Sequence, residues 1–247
     1  MGCCGFPVSH EKYYHDFRLV ELQSTFYRLP LEKTALRWRK EAPSHFEFTV
    51  KAWQAITHPV SSPTWRKVKP PPGRIGSRYG LLKPTRQNFE AWNKTLEICR
   101  LLHARMCVIQ CPPQFGFTQK NVRNMETFFN GIDRNGLILA WEPRGNWIER
   151  PEEIRRVCKI LDLVHCVDLL RIDPAYQNRI GYTRLHGLGR REVNYSYKYT
   201  NGDLDNLSKR VNMLGQKGVE QAYVMFNNIS MFDDAKRFMY RNRILPE

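Results

Sequence analysis

The chain has 247 residues, 42% hydrophobic and 26% charged, a composition that excludes a disordered segment and fits a folded globular domain. Lys and Arg number 39 against 24 Asp and Glu, and the formal charge of +15 favours a polyanionic partner such as nucleic acid, a nucleotide or another phosphate-bearing anion. No run approaches the roughly 18 apolar residues of a membrane helix, and the opening residues carry no basic leader, so the expectation is no membrane partner, no secretory signal and a cytoplasmic location.

Taken in order, residues 1–6 read as a first strand, and Ser9 as the cap of a short helix over 11–16. Residues 19–23 read as a second strand in which Glu21 and Gln23 share a face. Pro30 opens a helix to 40 with Leu31, Ala35 and Trp38 as its apolar stripe, and Pro43 breaks the chain before a third strand over 46–52. Residues 59–88 are prolyl and basic, with Pro59, Pro63, Pro70, Pro71, Pro72 and Pro84 among Arg66, Lys67, Lys69, Arg74, Arg78, Lys83 and Arg86. They read as a long loop at the rim of a site. Helical spacing runs over 89–103, and a fourth strand over 106–111 ends at Pro112. Thr118 caps a helix to 129, and the fifth strand, 136–142, is almost wholly apolar, as a parallel strand covered on both faces should be. Pro151 opens a helix to 161 with Glu152 and Glu153 in its first turn. Strands follow at 164–170 and 181–186, then a second long rim loop at 188–202. Asp203 is the expected cap of a helix to 214, and an eighth strand at 221–226 and a closing helix over 231–240 complete the pattern.

Eight strand candidates separated mainly by helices predict an α/β fold: a single (β/α)8 TIM-type barrel over 1–247, with long rim loops and its site at the C-terminal strand ends. No Gly-x-Gly-x-x-Gly follows the first strand and no Walker loop occurs, which argues against a dinucleotide or P-loop fold. The seven cysteines are scattered without paired metal-finger spacing and read as reduced thiols.

Several segments carry a resemblance. They are Glu21-Leu22-Gln23-Ser24-Thr25-Phe26-Tyr27, Trp38, Phe46-Glu47-Phe48-Thr49-Val50-Lys51-Ala52 with Thr57-His58, Gln110-Cys111-Pro112-Pro113, Trp141-Glu142-Pro143-Arg144 with Trp147, Arg184-Leu185-His186-Gly187, and Val224-Met225-Phe226-Asn227-Asn228. Together and in this order they resemble the YecE-like family, also called domain of unknown function 72, over nearly the whole chain. The resemblance implies a TIM barrel and supplies candidate positions but no reaction. Gly2-Cys3-Cys4-Gly5-Phe6 departs from the family's usual opening, and Asp173 is read as taking the family's acidic position after the sixth strand.

The strand ends nominate the site. His186, Glu142, His58 and Glu21 are the catalytic candidates, because a histidine beside a carboxylate gains the basicity a proton-transfer group needs. Lys51, Arg144, Arg184, Tyr27, Gln110, Asp173 and Asn227 are the substrate-binding candidates, the arginines as bidentate clamps for a phosphate or carboxylate. Structural pairings compete with these roles: Glu21 with Lys51, Arg184 with Glu142, and His58 with a loop carbonyl. No cofactor is predicted. A divalent metal on Glu21, Glu142, Asp173 and His186 is the less favoured arrangement, since no tight metal motif is present and the neighbouring cations favour an anion. The leading expectation is a hydrolase or nuclease-like enzyme acting on a phosphate-bearing or nucleic-acid substrate. The alternative is a non-catalytic barrel that binds a small anion or nucleic acid, with Tyr195, Tyr197 and Tyr199 as stacking surfaces. The sequence assigns no oligomeric state.

Overall fold

The computed structural model describes residues 1–68 and 73–244, and residues 73–75 by their backbone. Lys69, Pro70, Pro71 and Pro72 of the expected basic loop lie outside the described residues, as does the side chain of Arg74. In chain order the elements are β1 (Gly2–Cys4), α1 (His10–Asp16), β2 (Leu19–Leu22), α2 (Ser24–Tyr27), α3 (Glu32–Glu41), β3 (Glu47–Lys51), α4 (Gln54–Thr57), α5 (Arg86–Leu101), β4 (Met106–Gln110), α6 (Gln119–Asn130), β5 (Ile138–Glu142), α7 (Pro151–Ile160), β6 (Leu163–Val167), β7 (Ile180–Leu185), α8 (Asn201–Gln216), β8 (Gln221–Phe226) and α9 (Met231–Arg241).

The eight strands pair in sequence order and close into a parallel barrel, the α/β class expected from the alternation of strands and helices. The strands are short, three to six residues, and their positions are buried almost without exception. Burial on both faces is why β4 and β5 read as apolar runs, while β3 keeps an alternating sequence, EFTVK, despite its burial. One crossover departs from the repeat. The described residues between β6 and β7 hold no helix, and the chain passes through turns instead.

Two compact units divide the chain, one of residues 1–21, 42–47 and 164–247 and the other of residues 22–41 and 48–163. In the first unit β1 pairs with β2 and β8, and β7 lies along β8 with Tyr182 opposite Tyr223 and Arg184 opposite Met225. Its interior holds a polar column. Tyr182 and Tyr223 stack with centroids 5.5 Å apart, the Tyr223 hydroxyl donates to Glu47, and the Tyr182 hydroxyl donates to Glu21 at 2.9 Å. In the second unit β3, β4 and β5 run side by side, with Gln110 opposite Glu142 at the C-terminal end. Trp141 and Trp147 meet edge to face at 4.9 Å and are fully buried, so both serve packing.

Several helix starts differ from the sequence expectation, and local hydrogen bonds give the reason. α5 begins three residues before the apolar spacing does, because the Thr85 hydroxyl accepts from the Asn88 N–H. α8 is capped by Thr200 and not by Asp203. The two form a capping box in which Asp203 is the reciprocal acceptor, so Asp203 stands at the third helical position and is not the cap expected from sequence. Ser9 makes no capping hydrogen bond. β2 ends at Leu22. Gln23 already has helical dihedrals (φ −74°, ψ −32°), so it does not share a strand face with Glu21. Of the stripe expected on α3, only Ala35 is buried; Leu31 is 63% exposed. Thr118 caps α6 and Pro151 opens α7 as expected. The basic loop is partly ordered by 3-10 turns at Pro63–Lys67 and Gly73–Arg78.

Candidate functional site

The second unit gathers four of the nominated side chains. Lys51 is the last residue of β3 and Glu142 the last of β5, while His58 closes α4 and Arg144 stands two residues beyond Glu142. All four are buried. Thr25 anchors the end of β3 by donating to both the Leu22 and Lys51 carbonyls. Phe26 then serves two neighbours at once: the Lys51 ammonium lies 4.1 Å from its ring centroid, and the His58 ring meets it edge-on at 4.8 Å. Arg144 donates to the Glu142 carboxylate at 2.5 Å. The turn carrying Arg144 is fixed from below: Trp147 donates to the Phe115 carbonyl, and Asn146 accepts the Phe117 N–H.

Electrostatics make His58 neutral. Burial is the largest cause, and the nearby charges of Lys51 and Arg144 add to it, with Glu142 opposing. Its pKa falls from 6.5 to about 3. The Thr57 hydroxyl lies 2.8 Å from His58 Nδ1 and Trp65 donates to the His58 carbonyl, so backbone and ring are both held. The group therefore offers two cations, one carboxylate and an uncharged imidazole. Gln110 sits beside Glu142 in the β4–β5 register, half-buried. Tyr27 lies at the end of α2, where Lys67 approaches its ring face at 4.8 Å.

The first unit holds the remaining candidates in a different arrangement. Arg184 donates to Glu21 from Nε at 3.0 Å and from Nη2 at 2.9 Å, with 1% and 0% of the two side chains exposed. Its guanidinium fork is thus committed to a protein carboxylate. Two ion pairs are thus formed, Arg184 with Glu21 and Arg144 with Glu142. His186 follows β7 directly. The Asn227 amide nitrogen lies 3.0 Å from its Nδ1. This contact fixes the orientation of the ring, with the donor and acceptor roles set by its tautomer. The backbone at this point is clamped. Asp168 accepts the His186 N–H at 2.9 Å, Arg171 donates to the Gly187 carbonyl, and the Tyr199 hydroxyl accepts the Gly187 N–H at 2.7 Å. Burial and the Asp168 charge keep the Tyr199 phenol protonated far above its usual range. Asp173 is a 61% exposed partner of Arg210, and Asp168, directly after β6, is the acid that accepts the His186 N–H. Tyr199 is buried and Tyr197 donates to Asp203, which leaves Tyr195 as the exposed tyrosine of the three. Among the described residues no three His, Cys, Asp or Glu side chains gather in an arrangement that would hold a metal ion.

The model of the family described as protein of unknown function DUF72 matches residues 10–243. The chain belongs to the DUF72 family. It is 24% identical to the UPF0759 protein YunF of Bacillus subtilis (strain 168), an alignment covering 91% of this chain and 82% of that protein. The DUF72 fold agrees with the crystal structure of a DUF72 family protein from Enterococcus faecalis V583, at a TM-score of 0.74 and 19% identity over 100% of this chain and 95% of that one. Two more distant barrels share the fold alone. A xylose isomerase domain containing protein from Salmonella typhimurium LT2 has a TM-score of 0.56 at 13% identity over 98% of this chain and 96% of that one. Endonuclease IV from Thermus thermophilus has a TM-score of 0.54 at 10% identity over 98% of each chain.

Two residues of this DUF72 chain escaped the sequence reading. Trp53 Nε1 and both amide atoms of Gln54 are buried and make no hydrogen bond among the described residues. They lie in the short segment that joins Lys51 to His58. Unpaired buried polar atoms each cost about 1–3 kcal/mol, so groups of this kind are normally satisfied by water or a ligand. No spacing rule exposes them, because a Trp-Gln pair after a strand carries no motif. Only the burial of α4, on Ala55 and Ile56 as much as Gln54, shows it.

Proposed function

We propose that this DUF72 barrel is an enzyme acting on a phosphate-bearing substrate, a hydrolase of phosphate esters, and that Lys51, His58, Glu142 and Arg144 bind and process the phosphoryl group. One observation carries the reading: a neutral histidine is held in a buried group with two cations and one carboxylate. Lys51 and Arg144 supply the charge that an anion would neutralise. The imidazole of His58 is uncharged at pH 7 and so available to accept a proton. Its basicity is suppressed first by burial and then by the same two cations. A bound phosphate offsets the cations' share and to that extent raises it, so substrate binding shifts the base toward activity. Glu142 holds the Arg144 guanidinium in place. Trp53 and Gln54 offer donors and an acceptor to the rest of the substrate. The endonuclease IV of Thermus thermophilus shares the barrel frame, which is compatible with phosphodiester chemistry on this architecture.

Turnover of 4-nitrophenyl phosphate and of bis(4-nitrophenyl) phosphate by the purified chain is the test. The expected result is release of 4-nitrophenol from at least one of them, reduced about 100-fold or more by His58→Ala, the low end of what a proton-transfer group contributes. Absence of turnover together with absence of stabilisation by phosphate would overturn the proposal.

A further inference from the structure

The connection from β7 to α8 is a built surface, not a slack loop. The Asn194 N–H donates to the His186 carbonyl at 2.8 Å, and the Asn194 amide donates to the Leu188 carbonyl at 2.8 Å. Ser196 donates back to Asn194, and Asn228 donates to the Tyr197 carbonyl at 2.7 Å. One further bond joins the segment after β8 to this loop: the Ile229 N–H donates to the Tyr195 carbonyl at 2.7 Å. That bond sets two large apolar residues beside each other at the surface. Tyr195 is 50% exposed and Ile229 77%. The Tyr195 ring stands 6.2 Å from the His186 ring, tilted by 66°. Arg190, Arg191 and Lys198 are exposed on the same loop, against Glu192 as its one acid.

We propose that this loop is a single-stranded nucleic-acid binding surface, with Tyr195 and Ile229 taking the face of an unpaired base and Arg190, Arg191 and Lys198 contacting the flanking phosphates. The chemistry selects this ligand. An exposed aromatic residue and an exposed aliphatic one, joined by a backbone hydrogen bond on a loop that also carries three exposed cations, match a π-face carried on a polyanion. A duplex keeps its bases stacked on one another and has none to offer. The backbone hydrogen bonds hold the platform ready, so binding does not have to order the loop. This surface, the loop and Ile229 after β8, does not rest on the phosphate chemistry assigned to Lys51, His58, Glu142 and Arg144.

The test is fluorescence anisotropy of the full chain with three labelled probes: a short oligothymidine strand, the same strand with abasic spacers in place of nucleosides, and a duplex of equal length. The base-bearing strand is expected to bind roughly 5- to 150-fold more tightly than the abasic one, the range of one stacked base. Tyr195→Ala should erase that difference, and Tyr195→Phe should keep it. Replacing Arg190 and Arg191 by Ala should flatten the salt dependence for both single strands. Equal affinity of the wild type for base-bearing and abasic strands would overturn the proposal, as would tighter binding of the duplex or no binding of any probe. Each of these failures leaves the ester-hydrolysis assay to be decided separately.

Discussion

At the residue scale, two histidines, one closing α4 and one following β7, have become different groups through their partners. His186 Nδ1 is hydrogen-bonded with the Asn227 amide, while His58 lies buried beside Lys51 and Arg144. For His58 the pKa drops from 6.5 to about 3, so the folded state resists protonation that the unfolded chain accepts. Below pH 6.5 the unfolded state therefore binds more protons, and stability falls as pH falls through that window, by up to about 1.4 kcal/mol per pH unit from this one group. Urea unfolding from pH 7 to pH 4.5 should show this slope, and His58→Asn should remove it. The ion pair of Arg184 and Glu21 makes a second prediction. Arg184→Met alone leaves a buried carboxylate without its cation and should cost about 3–5 kcal/mol. Arg184→Met combined with Glu21→Leu should recover most of that loss in the same unfolding measurement. A role for Arg184 in holding substrate would instead show as lost binding at unchanged stability.

At the element scale, most of the strands and helices were legible because breakers and caps are local. Pro112 stops β4, Pro151 starts α7, and the Thr118 hydroxyl takes the Asn121 N–H at the start of α6. What the sequence concealed depends on partners far away in the chain. Glu21 and Arg184 are 163 residues apart, and no spacing rule says that they meet. Asp173 and Asp168 both follow β6, and only the turn between β6 and β7 decides which of them stays at the strand end. The loop after β7 turns on Gly187, whose φ is +80°. A Cβ there would lie 2.1 Å from the Asn194 carbonyl oxygen. Gly187→Ala should therefore displace the Asn194 turn and cost at least about 1 kcal/mol, with the largest loss of hydrogen-exchange protection in residues 187–199.

At the scale of the whole molecule, the barrel was readable from eight strand candidates alternating with helical patterns, and the family from the order of its motifs. The reaction was not, because the barrel frame is shared by proteins of different kinds and function lives in the side chains at its strand ends. No helix among the described residues is long and apolar enough to cross a membrane. The charge of +15 is one property that the buried group of the second unit and the exposed loop of the first both draw on, in different ways. Buried cations next to a neutral imidazole favour a single desolvated anion, whereas exposed cations beside Tyr195 give salt-dependent contacts.

The most direct measurement is the histidine side-chain NMR spectrum of the full chain, with His58 assigned by substitution, recorded at pH 6 while inorganic phosphate is added. The account predicts a neutral His58 in the free protein and a saturable change with phosphate as its pKa rises, lost in Arg144→Gln. A charged His58 at pH 6 before phosphate is added, or a His58 signal that ignores phosphate at every concentration, would contradict it.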